Sequence, residues 1–330
     1  MLSLPSARGP LTELLLDALP AARHRLPAVP PEPADDDDLH LALYLCYELH
    51  YRGLPGVDER WEWDPSLLAL RGALEERFEA ELTAAVPRVA ERLAPEEADV
   101  ALREVEEGDD APSLSRRLQR DGTVEQFHEF LVHRSAYQLK EADPHSWAMP
   151  RLWGGPKAAL VEIQADEYGG GRADRIHAQL FARAMAALGL DSRYGAYLEL
   201  LPGVTLRTVN LMSLFGLHRR LRGAIVGHLA LFEMTSSIPN RRYGDGLRRL
   251  GFSGDATEFF DEHVEADAVH EAVAAVDLAG GLIRQDPALA GDVLWGARCL
   301  TWVEAAWTRH LLDAWDARRS SLRAPLTVAA

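Results

Sequence analysis

The abundance of helix-forming residues is the feature that most restricts how this sequence can fold. Ala, Leu, Glu and Arg dominate its 330 residues, whereas β-branched residues are sparse. The first group favours helices and the second group favours strands. Clear alternation of apolar and polar residues, which half-buried strands require, is missing. The sequence therefore predicts an all-α protein.

Composition narrows the class of protein further. Hydrophobic residues make up 47% and charged residues 26% of the chain, which is ordinary for a folded soluble protein. No apolar run approaches the roughly 20 residues of a membrane span, and the first residues do not resemble a signal peptide. The net charge of -16 disfavours nucleic acid as a partner. We expect a cytoplasmic protein with no membrane or nucleic-acid partner, in which Cys46 and Cys299 are small core residues.

The distribution of proline and acidic residues divides the chain into three parts. Residues 1–38 carry the Pro-rich stretch LPAVPPEPA and end in an acidic run. An N-terminal arm or irregular segment is predicted here, and the acidic run also signals the start of a helix. Residues 39–112 read as helices, with Asp64 as a helix N-cap followed by Pro65. A Pro/Glu/Asp-rich stretch, 95–112, is the most plausible module boundary. Residues 113–330 are predicted to form the main helical domain.

The segment HVEADAVH, residues 263–270, carries the sharpest local signal for chemistry. His263, Asp267 and His270 recur at positions i, i+4 and i+7, which places them on one stripe of a helix over about 10 Å. Two imidazoles beside a carboxylate on such a stripe could address two metal ions roughly 4 Å apart. The alternative is a solvated polar face, because Val269, Val273 and Val276 offer a core face elsewhere.

Glu233 is predicted to be buried, since Val226, Leu229 and Ala230 precede it at helical spacing. A buried carboxylate without a partner costs several kcal/mol or becomes neutral. A metal ion would be one good partner and an arginine would be another. The nearby arginines are Arg219, Arg220 and Arg222.

Further carboxylates lie at Glu141 and in the acidic cluster Glu162, Asp166 and Glu167, where surface charge is the alternative. His177 follows Glu167 by ten positions, which on one unbroken helix is about 15 Å. The three consecutive glycines 169–171 stand between them and favour a break in the helix. The break makes a shared site geometrically possible, and the segment becomes a candidate for ordering on metal binding.

Taken in order, these motifs resemble a known family. The series begins with RSAYQLKEADPHSW and ALVEIQADEYGGG and continues with a buried glutamate and H-x-x-x-D-x-x-H. In this order it is similar to the haem-oxygenase-like diiron oxidases, often called iron-containing redox enzymes. The similarity spans Glu125 to Glu271. The order and gaps most resemble those of the diiron N-oxygenase module of the nitrosourea-forming enzyme of streptozotocin biosynthesis. The resemblance implies a haem-oxygenase-like helical bundle with an N-terminal helical extension, in which residues 39–112 cover the core or form a homodimer contact.

The resemblance also implies a set of metal ligands, with Glu162 as the local competitor of Glu167. These ligands are Glu141, Glu167, His177, Glu233, His263, Asp267 and His270. Four of them are carboxylates, which offset the charge of two ferrous ions, and imidazoles suit iron better than magnesium or calcium. Tyr137, Trp147 and Phe232 are candidate pocket residues between the ligand helices.

The function that follows is a diiron oxygenase or oxidase with two iron ions as cofactor and O2 as cosubstrate. Its substrate would be a small amino-acid-derived metabolite, and N-oxygenation of an amine in specialised metabolism is the reaction that the resemblance favours. Oxidative C–C cleavage or desaturation of an amino or fatty acid is the first alternative. A non-catalytic helical binding protein and a haem oxygenase are the others. Because no flavin or nicotinamide motif occurs, electrons would come from an external donor or the substrate.

Overall fold

A computed structural model describes residues 3–29 and 35–327, except for the side chains of residues 266–269. Within these residues the chain is helical and contains no strand, which confirms the all-α prediction and agrees with a haem-oxygenase-like helical fold. The α-helices are α1 Pro10–Ala18, α2 Asp36–Glu48, α3 Pro65–Ala85, α4 Ala98–Glu107, α5 Leu114–Asp121, α6 Val124–Gln138, α7 Asp143–Ser146, α8 Gly154–Glu167, α9 His177–Ala187, α10 Gly203–Leu217, α11 Arg222–Arg249, α12 Asp255–Ala272, α13 Gly281–Gln285 and α14 Ala290–Asp316. A π-helix, Val273–Gly280, joins α12 to α13.

Side-chain caps explain where several helices begin. Asp64 accepts hydrogen bonds from the backbone N–H groups of Ser66 and Leu67, and Pro65 is the first residue of α3. This confirms the predicted cap. Thr123 caps α6 by accepting from the Gln126 N–H, while the Gln126 side chain accepts from the Thr123 N–H. The reciprocal pair satisfies donors that the first turn of a helix otherwise leaves unpaired.

The N-terminal segment that was expected to be an irregular arm contains helix α1. The Asp38 carboxylate lies at the start of α1 and accepts hydrogen bonds from the N–H groups of Leu11 and Thr12, at 2.9 and 2.8 Å. A carboxylate at a helix N-terminus is favoured by the helix dipole and by the unpaired N–H groups there. Part of the acidic run thus fastens α1 to α2, a tertiary role that the local sequence does not reveal.

Residues 39–112 share one hydrophobic core with the residues that follow them. A buried ion pair also joins the two regions, with 2.9 Å between Lys140 Nζ and Glu48 Oε2. The hydroxyl of Tyr194 donates to the same carboxylate. Since Lys140 directly precedes Glu141, this pair fixes the chain where it leaves α6. A homodimer contact through residues 39–112 stays a prediction.

Helices α11 and α14 cross in backbone contact at two glycines. A Cβ atom on Gly227 would lie 1.8 Å from the carbonyl oxygen of Val293, and one on Gly296 would lie 2.0 Å from that of Ala224. No larger residue fits at this crossing without separating the helices. The contact therefore fixes the position of α11, which carries Glu233.

None of the described helices has the length and apolar character needed to cross a membrane.

Candidate metal centre

Five separate parts of the fold bring the predicted ligands to one buried position. Each described member of the set is between 1% and 6% exposed. Glu141 follows α6, Glu167 ends α8, His177 begins α9, Glu233 lies within α11, and His263 and His270 lie on α12. The seventh predicted ligand, Asp267, also belongs to α12, but the side chain of Asp267 is not among those that the structure describes.

The six side chains form two overlapping groups. In the first, one ligand atom from each of Glu141, Glu167, His177 and His263 lies within 4.8 Å of the others. The second group contains Glu167, Glu233 and His270 and meets the same distance limit. Because Glu167 belongs to both, the geometry offers two adjacent metal positions that share one carboxylate. This arrangement could hold the two ions that the sequence predicts.

The glycine break accounts for the pairing of Glu167 with His177. Helix α8 ends at Glu167, and the chain then passes through a short 3₁₀ turn at Gly169–Gly171, in which all three φ angles are positive. Such φ values are open to glycine and costly for other residues. The turn brings His177 Nδ1 to 3.0 Å from Glu167 Oε2. Glu162, the alternative ligand, is exposed on α8 and lies in neither group.

Several buried ligand atoms face only one another. Glu141 Oε2 has no hydrogen-bond partner among the described residues, and His177 Nδ1 and His270 Nδ1 are ion-paired only with the cluster carboxylates of Glu167 and Glu233. Carboxylate oxygens and imidazole nitrogens that converge in this way favour a shared partner that accepts electron pairs. A metal ion is such a partner, and mixed carboxylate and imidazole ligands suit iron, manganese or zinc better than magnesium or calcium. The residues therefore fit a transition-metal centre.

Two of the three arginines considered as partners of Glu233 are engaged elsewhere. Arg220 pairs with Glu79, and Arg222 pairs with Asp286 at 3.0 Å. Arg222 begins α11, eleven residues before Glu233, which corresponds to about 16 Å along the helix. Glu233 instead lies 3.3 Å from His270 Nδ1.

The pKa values of the metal-free cluster show where its protons reside. Burial raises the pKa of Glu141, against the opposing effect of His263. Burial disfavours the charged form of Glu167 too, but His177 and the other imidazoles outweigh it and lower the pKa of this carboxyl. Burial also disfavours charged His270, yet Glu233 and Asp166 raise its pKa to about 9. Without metal, imidazolium protons therefore balance part of the carboxylate charge, and a bound metal ion would displace them.

Hydrogen bonds from outside the cluster orient two of the imidazoles. His263 Nδ1 donates to the carbonyl oxygen of Phe259 at 2.8 Å, which leaves Nε2 facing Glu141 at 3.5 Å. His270 Nε2 donates to Asp166 Oδ2 at 3.0 Å, which leaves Nδ1 facing the cluster. Such outer partners fix the tautomer and direction of a ligand histidine. From the sequence, Asp166 was one member of the acidic cluster, and its hydrogen bond to His270 was not predicted.

A small cavity lies against the cluster. Its volume is about 10 Å³, which is room for one water-sized molecule. Of the three predicted pocket residues, Tyr137 and Phe232 line this cavity together with Leu229 and Ser236. Trp147 is not among its lining residues and lies with its ring 6.4 Å from that of Tyr51.

A neutral histidine pair beside this cavity was not predicted. His145, on the short helix α7, lines the cavity, and its Nε2 lies 3.1 Å from Nδ1 of His228. Burial lowers the pKa of His145 to about 4. Burial also lowers the pKa of His228, well below its usual value. Both rings are therefore neutral, and one donates to the other. No local pattern links these residues, which lie 83 positions apart.

A third group of potential ligands, Asp36, His40 and Glu81, has a different explanation. Arg207 lies among these residues, within ion-pair distance of both carboxylates and with Nε donating to His40 Nε2 at 3.1 Å. The guanidinium already supplies the positive charge that a metal would bring. The group is therefore an ion-pair network.

Comparison with known proteins agrees with the site. A family model described as iron-containing redox enzyme matches residues 128–305, which is just over half of the chain. The matched range contains all seven predicted ligands. No curated protein matches the sequence at a significant level.

Proposed function

Because the chain belongs to the family of iron-containing redox enzymes, we propose that this oxidoreductase is a non-haem diiron oxygenase. One observation carries the proposal. Two buried groups of carboxylate and imidazole atoms share Glu167, each compact enough to surround one ion. A single mononuclear site would use only one of these two groups.

The proposed ligand set assigns a part to each residue. Glu141, His177 and His263 would hold one iron, and Glu233 and His270 would hold the other, with Glu167 available to both. Asp267 completes the proposed set on the basis of its position between His263 and His270. When bound, the two ferrous ions would supply electrons for the reduction of O2.

The protein around the cluster would control access and protons. Tyr137, Leu229 and Phe232 line the small cavity and limit it to a molecule of the size of O2 or water. The neutral pair of His145 and His228 offers a donor and an acceptor at the cavity without adding charge. A haem oxygenase needs one proximal histidine and no carboxylate cluster, so the three buried glutamates of the two groups disfavour it.

For substrate and reaction, we propose N-oxygenation of an amine in a small amino-acid-derived metabolite, with electrons from an external donor. The support is the order and spacing of the ligand motifs, including the extra carboxylate Glu167, which resemble those of a diiron N-oxygenase. Oxidative C–C cleavage or desaturation is the alternative reaction on the same centre. The two are distinguished by products, since only N-oxygenation places an oxygen atom from ¹⁸O2 on nitrogen.

Anaerobic iron titration of the purified chain tests the diiron centre. We expect about two ferrous ions per chain, with loss of binding in His263→Ala and Glu233→Ala. Glu162→Ala is the matched control, because this glutamate is exposed on α8 and lies outside both groups. Circular dichroism checks that each variant retains its helices. A folded chain that takes up no stoichiometric iron would refute the proposal.

A further inference from the structure

Four arginines lie together on the surface where α5 packs against α11. They are Arg116, Arg120, Arg241 and Arg242, which we call the arginine patch. Arg116 and Arg120 lie one turn apart on α5, and both are exposed. On α11, Arg241 is exposed, and Arg242 is half-buried and donates to Ser115 Oγ at 3.3 Å. The patch is locally basic on a chain whose net charge is -16.

The charges of the arginine patch are not neutralised among the described residues. None of the four guanidiniums lies within ion-pair distance of a described carboxylate, whereas the neighbouring Arg117 pairs with Asp316 at 3.5 Å. Burial lowers the pKa of Arg242, and the guanidiniums of Arg116 and Arg120 lower it further. Like charges at this separation repel one another, so an anionic partner on the patch would be favoured.

The fold holds the patch in place without using its charges. A fifth arginine, Arg249, joins α11 to the end of α5 by donating to the carbonyl oxygens of Leu118, Gln119 and Gly122. Arg116, by contrast, lies in the first turn of α5, where the helix dipole disfavours a cation. The stability of α5 therefore does not account for a cation at this position.

The patch borders the mouth of a cleft that leads toward the metal centre. Two of its arginines line this cleft, whose volume is about 700 Å³, and Phe232 and Ser236 line both the cleft and the small cavity beside the cluster. Ile238, which is 62% exposed, adds an apolar surface next to the arginines. It follows the proposed ligand Glu233 by five residues, which is about 8 Å along α11. A protein that covers the patch would therefore come close to the cluster.

We propose that the arginine patch is the docking surface for an acidic protein that donates electrons one at a time to the metal centre. This inference rests on the proposed function, which requires an external donor because the sequence carries no flavin or nicotinamide motif. Each docked donor molecule passes one electron to a ferric ion and leaves in its oxidised form. Two donor molecules thus return two ferric ions to the ferrous state.

The distribution of charge favours a small acidic protein over other anionic partners. Because the chain as a whole is strongly negative, a nucleic acid or an anionic membrane would be repelled by the surface beyond the patch. Across the mouth of the cleft, Glu106 and Asp109 are exposed and would repel an acidic partner from that side. Attraction on one side and repulsion on the other would orient the donor over α5.

Calorimetric titration at low ionic strength tests the docking surface. The probes are an acidic plant-type [2Fe–2S] ferredoxin and an acidic flavodoxin, and vesicles of phosphatidylserine and phosphatidylcholine represent an anionic membrane. We expect at least one of the two proteins to bind, with an affinity that falls more than tenfold from about 0.05 M to about 0.5 M salt. Absence of binding by both proteins, whether or not the vesicles bind, overturns the proposal.

Charge reversal connects the binding to the patch. The triple variant changes its three exposed arginines and is Arg116→Glu, Arg120→Glu, Arg241→Glu. The matched control changes three exposed arginines that have no ion pair among the described residues and do not line the cleft, and it is Arg25→Glu, Arg92→Glu, Arg219→Glu. Both variants have the same net charge, so any loss in the control measures the general repulsion alone.

We expect the triple variant to bind the donor more than tenfold more weakly than the control does. In stopped-flow mixing with limiting reduced donor, reduction of the ferric protein should slow by a similar factor. Circular dichroism checks that both variants retain their helices. Equal affinities of the two variants for the donor would overturn the proposal.

Iron titration of the same preparations separates this inference from the diiron proposal. The patch contains no proposed metal ligand, so donor binding can be measured on both the metal-free and the iron-loaded protein. Normal uptake of two ferrous ions without donor binding refutes the docking surface and leaves the diiron proposal intact. Donor binding that depends on the patch, without iron uptake, refutes the diiron proposal and leaves the docking surface intact.

Discussion

Substitution of Gly227 by alanine tests whether the crossing of α11 and α14 positions the metal centre. A Cβ atom at this position would lie 1.8 Å from the carbonyl oxygen of Val293, whereas ordinary van der Waals contacts of Cβ atoms begin at about 3.4 Å. The obstacle is backbone on the opposite helix, which cannot rotate away as a side chain can. The helices must therefore move apart by well over an ångström, and α11 carries Glu233 six residues further along.

The expected loss of stability can be approximated from two opposing effects. Overpacking of a core costs up to about 3 kcal/mol, and this rigid contact belongs at the upper end. Alanine recovers about 1 kcal/mol because glycine is a poor helix former. The net loss is therefore about 2 kcal/mol. An unfolding entropy of about 2.1 cal/mol/K per residue gives roughly 0.7 kcal/mol/K for the chain, so Tm should fall by about 3 °C.

Scanning calorimetry at fixed scan rate and protein concentration measures this change. Gly72→Ala is the control, because Gly72 lies within α3 and a Cβ atom there would meet nothing within 4 Å. Its expected effect has the opposite sign, a rise in Tm of about 1 °C. Iron affinity should fall in Gly227→Ala and remain unchanged in Gly72→Ala. A Gly227→Ala protein as stable as the wild type would show that the backbone contact does not fix the crossing.

Three further predictions concern the cluster itself. Glu167→Ala should reduce iron uptake from about two ions to fewer than one per chain, because both groups lose a ligand; retention of one tightly bound ion would argue against a shared carboxylate. Asp166→Asn should weaken iron binding by about 10- to 100-fold by disturbing the orientation of His270, and equal affinity in anaerobic titration would contradict this role. The pKa of His270 is raised to about 9 without metal, so a bound ferrous ion must displace a proton from this imidazole. The affinity for ferrous iron should therefore rise at least about tenfold from pH 6 to pH 7. An affinity that does not change with pH would contradict proton displacement.

The parts of the fold that depend on neighbours in sequence were predictable. The Asp64 cap of α3, the burial of Glu233 and the end of α8 before the glycines all follow from short-range patterns. Helix propensity and the conformational freedom of glycine act over a few residues, so one sequence suffices to read them. The overall ligand arrangement came from the family resemblance and not from spacing.

Groups that act across the fold escaped prediction because their partners are distant in sequence. Asp166 meets His270 across 104 positions, and Arg134 meets Glu304 across 170. Each of these residues alone reads as surface charge on an amphipathic helix, which is its usual place. Only side-chain contacts between α6 and α14, and between α8 and α12, convert these charges into a partly buried ion pair and an orienting hydrogen bond.

The glycine turn links local sequence to the chemistry of the centre most directly. An unbroken helix would carry His177 about 15 Å beyond Glu167, and neither group could then contain both residues. The turn at Gly169–Gly171 brings them within 3.0 Å, and Glu167 is also the residue common to both groups. A Cβ atom on Gly169 would lie 2.6 Å from the backbone of Arg175, so both the positive φ and the close approach require glycine there. Any change that straightens this turn removes His177 from the group that it forms with Glu141, Glu167 and His263.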